Sequence, residues 1–148
     1  MFEIEERYED ALESFEHAIL AAPDNADTHE HAGRMMAKLE RHEEAIVLLQ
    51  RSIEIEDTSR RQIELGGSFA KLDQWSDSET AFGQAIKLGA SGVDIRYALA
   101  VTMANQQKCA EAETILEDIL RQIPNRALAK QLIANLQHRP SAVVALDE

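Results

Sequence analysis

The chain has 148 residues, enough for one ordinary domain with its own core, and 45% of them are hydrophobic, which excludes a disordered polymer. Its formal net charge of −12 argues against a nucleic-acid backbone or an anionic membrane surface as the main partner, because both would repel it. That acidity fits a basic partner, and it equally fits helices that simply solvate their outer faces.

Only three prolines and six glycines occur, and good helix formers such as Ala, Leu, Glu, Gln and Arg dominate, so the expected class is all-α. In chain order, apolar periodicity predicts a partial helix over 2–5, then helices over 7–21, 26–39, 42–56, 59–72, 75–88, 92–106, 109–122 and 125–138. Asn25 and Asn125, just after Pro23 and Pro124, are expected to cap the helices that follow. Ser59 with Gln62, and Ser76 with Glu79, read as capping boxes. Pro140 stops the last helix, and residues 139–148 are expected to be a flexible tail.

A repeat runs through these elements. Small residues Gly33, Gly66, Ala100 and Ala134 recur at spacings of 33, 34 and 34. Ala11, Ala45, Ser78 and Ala112 form a second small column, and Ala18, Ser52 and Ala85 a third that lapses at Ile119. Phe15, Leu49, Phe82 and Leu116 form a large apolar column, as do Met36, Phe69 and Met103. Tyr8, His42, Trp75 and Cys109 share another phase.

These columns resemble the tetratricopeptide repeat, whose unit pairs a small residue in its helix A with one in its helix B and often closes on a proline. The resemblance implies a right-handed superhelical α-solenoid of antiparallel helix pairs. It divides the chain into a half repeat (1–25), three repeats (26–58, 59–92 and 93–126) and a terminal helix (127–138), a single solenoid over 1–138. His29, Gln62 and Arg96 stand where the family has an aromatic, and Asp57 replaces a closing proline. The first repeat begins partway through its helix A. Either the chain is cut from a longer array, or Phe2 and Ile4 shield the open edge, or that edge pairs with another chain; excision or pairing is favoured, and self-association would then run through this edge.

In such a solenoid the helix A faces not used for packing line a concave groove. The expected groove residues are Asp27, Glu30, His31, Arg34 and Lys38, then Arg60, Ile63, Glu64, Gly67 and Lys71, then Asp94, Tyr97, Val101 and Asn105, and finally Gln131 and Asn135. They predict an extended or helical peptide ligand with an apolar anchor near Tyr97 and Val101 and polar contacts near Arg34; the alternative is that they are ordinary solvated side chains. Some members of the family clamp the terminal carboxylate of heat-shock chaperones with a Lys and an Asn, an Asn, and a Lys and an Arg on three successive helices A. The matching places hold Glu30 and Arg34, then Glu64, then Asp94 and Ala98, so that specificity is not expected. Moving one repeat on gives Ile63 and Gly67, then Ala98, then Leu128 and Leu132, which is no better.

No catalytic constellation is visible. His29 and His31 lie two apart on a helix and face different ways, so no metal site is expected there. Cys109, the only cysteine, excludes an internal disulfide and a thiolate cluster and reads as an inert packed thiol. No phosphate loop or nucleophile elbow occurs, and no cofactor is expected. The acidic N-terminus lacks the basic and apolar regions of a secretory signal, and no apolar stretch reaches the ~20 residues needed to span a bilayer, so a cytoplasmic protein without membrane insertion is expected. The expected function is non-catalytic binding of another protein as adaptor or scaffold; the alternatives are a dedicated chaperone for a secreted subunit, or a regulatory or assembly segment of a larger enzyme.

Overall fold

The computed structural model describes residues 2–138, with side chains from residue 7 onward, so the expected tail over 139–148 and the expected shielding by Phe2 and Ile4 lie outside the described part. Within it the order is α1 (Phe2–Ala21), α2 (Ala26–Lys38), α3 (His42–Ile55), α4 (Ser59–Lys71), α5 (Trp75–Lys87), α6 (Val93–Asn105), α7 (Cys109–Gln122) and α8 (Ala127–His138). Each helix packs on its neighbours in sequence, and α2 also touches α4, as α6 touches α8. That pattern is a stack of helix pairs in which α2, α4, α6 and α8 form one layer.

The small columns set how closely the pairs pack. A Cβ built on Gly33 would lie 2.9 Å from Leu49 Cγ, and one on Gly66 only 2.7 Å from the Phe82 ring, so glycine is what lets α3 and α5 approach their partners. In the facing columns the hydroxyls of Ser52 and Ser78, both fully buried, donate to the Ala26 and Gly66 carbonyls at 2.7 and 2.8 Å. The turn inside each pair is a Schellman motif: Glu40, Asp73 and Gln107 adopt left-handed φ, and the next N–H donates back to Met36, Phe69 and Met103 at 2.9–3.0 Å. The apolar core is strung along the stack, from Leu12, Met36 and Ala45, through Ile46, Leu49 and Leu65, to a large cluster around Leu116, Ile119 and Leu136.

Four local expectations change. Residues 2–5 are not a separate partial helix but the first turn of α1. Asn25 caps α2 through Thr28 N–H, as expected, but the cap of α4 is Thr58, whose hydroxyl accepts from Arg61 N–H, which leaves Ser59 inside the helix. Ser76 is likewise inside α5, whose cap position is Gln74 without a side-chain bond; the Glu79 carboxylate instead takes Lys108 and Gln106, each at 2.6 Å. α8 starts at Ala127, two residues beyond Asn125.

Candidate functional site

The expected groove residues divide into three sets. The first ties successive repeats together. Arg61, 2% exposed, donates through Nε to Glu30 at 2.9 Å, through Nη2 to Asp27 at 2.5 Å and through Nη1 to Glu56 at 2.6 Å. Glu30, 0% exposed, takes Arg60 on its other oxygen. Asp94 accepts from Arg126 at 2.6 Å. Glu30 therefore offers a ligand nothing: it is the buried counter-charge of Arg61, and an isolated carboxylate at that depth would be prohibitively costly. Arg61 escaped the sequence reading, although Ile95 and Ala129 at the same phase are buried and apolar, and a lone charge in such a column is itself a sign of a buried pair.

The second set is core or edge. Val101 is 0% exposed, within the cluster of Leu116 and Leu132, so the apolar anchor expected there is not on the surface. Its helix turns it inward with Ala100 and Ala104, into a cluster completed by α7 and α8. Tyr97 is half-buried against the same cluster. Asn105 Nδ2 donates to its own helix at the Val101 carbonyl, 3.1 Å away. Ile63, Gln131 and Asn135 are exposed. His31 stacks on Phe15, with ring centroids 5.9 Å apart, and its Nδ1 donates to the Asp27 carbonyl at 2.6 Å.

The third set converges. Arg34, Lys38, Glu64, Gly67 and Lys71 surround a cleft of about 320 Å³ between the C-terminal halves of α2 and α4, with Ala37, His42, Leu49 and Ser68 completing its wall. The helical period brings them there, since 34 and 38 on α2, and 64, 67 and 71 on α4, each share a face. A Cβ on Gly67 would meet nothing within 4 Å, so the glycine leaves the cleft open rather than serving helix packing. Buried Leu49 and His42 form the floor, and cations stand at the rim. Arg34 Nε lies 3.2 Å from Glu64 Oε1, and Lys38 Nζ lies 5.9 Å from the Tyr8 ring centroid.

Glu64 is the unusual group. Burial pushes its carboxyl up to about 7, more than Arg34 beside it pulls it down, and buried Glu30 adds to the rise. Its Oε2 has no hydrogen-bond partner among the described residues. Near neutral pH the cleft therefore holds three cations around a carboxylate that is only partly ionised, on a chain whose overall charge is −12. Further clefts lie elsewhere among the described residues. One of about 260 Å³ between α1 and α3 carries Glu16 and Glu44, and one of about 790 Å³ across α3–α6 carries Asp57, Asp77, Glu79, Lys87 and Lys108. Among the described residues no cluster of three or more His, Cys, Asp or Glu could hold a metal ion, and no helix is long and apolar enough to cross a membrane.

Two family models, both described as tetratricopeptide repeat, match residues 5–59 and 70–136. No sequence match was found among curated proteins. Among solved structures the chain is similar to YrrB, described as a TPR protein with an unusual peptide-binding site, at 19% identity and a TM-score of 0.82, covering 92% of this chain and 71% of that one. It is similar to MamA at 18% identity and a TM-score of 0.83, covering 94% and 77%. It is also similar to the second TPR domain of human RPAP3 in complex with an HSP70 peptide, at 19% identity and a TM-score of 0.68, covering 76% and 94%. At these identities the likeness is one of fold.

Proposed function

The chain belongs to the tetratricopeptide repeat family, and from that premise we propose that it is a non-catalytic binding module that takes a segment of a partner protein in its concave groove, as an adaptor or scaffold. The observation that carries this reading is the cleft between α2 and α4, with Arg34, Lys38 and Lys71 at the rim, Leu49 below, and Gly67 leaving room. Solved proteins of this fold are described as peptide-binding or as bound to a peptide, which supports the same reading.

The chemistry of the cleft narrows the ligand. A short apolar side chain fits over Leu49 and Ala37, and acidic side chains next to it meet the three cations. The ligand is therefore an extended segment in which a short apolar stretch runs directly into acidic residues. The chain's overall acidity does not describe the cleft, because Asp27, Glu30 and Asp94 are spent on arginines between repeats.

The test is fluorescence anisotropy with the peptide Ala-Leu-Val-Ala-Glu-Glu, labelled at its N-terminus and amidated at its C-terminus. Gly67→Leu puts a side chain into the cleft from a position where a Cβ meets nothing within 4 Å, so it should keep the thermal transition and lose binding. Lys71→Glu should weaken binding by about fivefold or more, increasingly so at low salt. Equal affinity for wild type and Gly67→Leu would remove the site from this cleft.

A further inference from the structure

α2 packs on α3, α4 on α5 and α6 on α7 as the pairs of the stack. Among the described helices α1 packs on α2, and α8 on α7 and α6, only as neighbouring pairs pack on each other, so each of the two is half of a pair. The side that a pair would cover is open on both. On α3 and α7 the residues that face the partner helix, Ala45, Leu49 and Ser52, then Ala112, Leu116 and Ile119, are almost wholly inaccessible. On α1 the same phases hold Ala11 and Phe15, which are half-buried, and Ala18, which is exposed. On α8 the phase of buried Gly33, Gly66 and Ala100 holds Ala134, which is exposed. We propose that α8 of one copy packs antiparallel on α1 of a second copy, so that the two halves close into one complete pair and the copies join head to tail.

The pairs within the chain show the form of such a joint. Gly33 stands against Leu49 and Gly66 against Phe82, and Ala100 shares a cluster with Leu116. At the joint Ala134 stands against Phe15. The start of α2 meets the end of α3 where Ser52 donates to the Ala26 carbonyl, and at the same phases Ala127 meets Ala18, both exposed. An alanine opposite a phenylalanine is a tighter match than Gly66 opposite Phe82, but no turn fixes the spacing of the joint. Packed helices stand about 8–10 Å apart according to the side chains between them, a range that takes in one more methyl. Charge favours this pairing over α1 on α1. α8 carries Lys130 and His138 and no carboxylate, whereas α1 carries Glu9, Asp10, Glu13 and Glu16, so two copies of α1 would repel each other. A head-to-tail joint leaves a free half-pair at each end and is open to further growth. It also sets α8 of one copy beside α2 of the next, as α2 lies beside α4, which carries the concave groove from copy to copy.

This inference is independent of what the α2–α4 cleft binds. Sedimentation velocity of the full chain over a dilution series, compared with Ala18→Glu and Ala134→Glu, tests it. Both positions are exposed, so each variant should keep the thermal transition of wild type. Wild type should associate beyond a dimer as concentration rises. Each variant alone has a carboxylate in every joint and should associate at least about tenfold more weakly. An equal mixture of the two should form a dimer as readily as wild type and nothing larger, because the intact α8 of Ala18→Glu meets the intact α1 of Ala134→Glu. Wild type that stays monomeric at every concentration would overturn the proposal, as would a mixture that fails to pair. Undiminished association of Ala134→Glu alone, or of Ala18→Glu alone, would assign the contact to two like ends and overturn the head-to-tail joint.

Discussion

Replacing Gly66 and Gly67 one at a time by alanine sets two adjacent positions of α4 against each other. Both exchanges gain about 1 kcal/mol in helix propensity, because each glycine sits in a helix interior. At Gly67 nothing opposes that gain, since the new methyl meets nothing within 4 Å. Gly67→Ala should therefore be stabilised by about 1 kcal/mol, raising Tm by about 2–4 °C for a chain of this size. At Gly66 the methyl would stand 2.7 Å from Cδ1 and Cε1 of Phe82, a ring only 3% exposed that has nowhere to move. Overpacking of this kind costs about 1–3 kcal/mol, so Gly66→Ala should be destabilised by about 1 kcal/mol net. The third repeat accommodates such a methyl: Ala100 and Leu116, at the same two columns, are fully buried in one cluster. In a Phe82→Leu background, Gly66→Ala should cost less than it does opposite the phenylalanine, a coupling that a double-mutant cycle reads directly. Urea and thermal unfolding followed by far-ultraviolet circular dichroism measure all four chains. If the two single variants shift in the same direction, the close approach of α4 and α5 through Gly66 is wrong.

Arg61→Ala leaves Glu30 buried without its main counter-charge and should lose about 3–5 kcal/mol in urea unfolding, with part recovered in Arg61→Ala/Glu30→Ala; a loss under 1 kcal/mol would show the network to be solvated. The Glu64 carboxyl, raised from 4.5 to about 7 in the fold, contributes stability that is complete below pH 4.5, declines as pH rises and is gone above about 7. The wild-type chain should therefore lose stability relative to Glu64→Gln across that window. Glu44, held low by its bond to Arg41, acts with the opposite sign, so the comparison is between the two chains rather than of either curve alone. For the same reason the acidic probe peptide should bind wild type more tightly at pH 6 than at pH 8, where Glu64 is charged beside Arg34, Glu30, Arg60 and His31. A pH-independent difference between the chains would place Glu64 in water.

Much of the fold was legible because it is written in side-chain size. The columns of Gly33, Gly66 and Ala100, and of Leu49, Phe82 and Leu116, record which surfaces touch, and they meet in space as their spacing requires. Helix bounds came within two residues for α2 to α8 for the same reason. What the columns do not record is depth. Val101 and Glu30 lie on the groove-side turn of their helices by register, yet both are covered, one by α7 and α8 and the other by Arg61. Capping was misplaced by one residue at α4 because Thr58 and Ser59 are adjacent and only the backbone path decides between them. Two glycines in a row likewise look equivalent in sequence, and only packing separates Gly66, which holds α5 close, from Gly67, which opens the cleft.

Amide chemical-shift mapping of the anisotropy peptide on the isotope-labelled chain tests ligand binding at the α2–α4 cleft most directly. Expected are the largest perturbations at Lys38, Gly67 and Lys71, with Gly83 and Gln84 on the far cleft unmoved. Perturbations centred on Gly83 and Gln84, or on Val47 and Leu48 beside α1, would contradict it and move the binding surface to the other side of the stack.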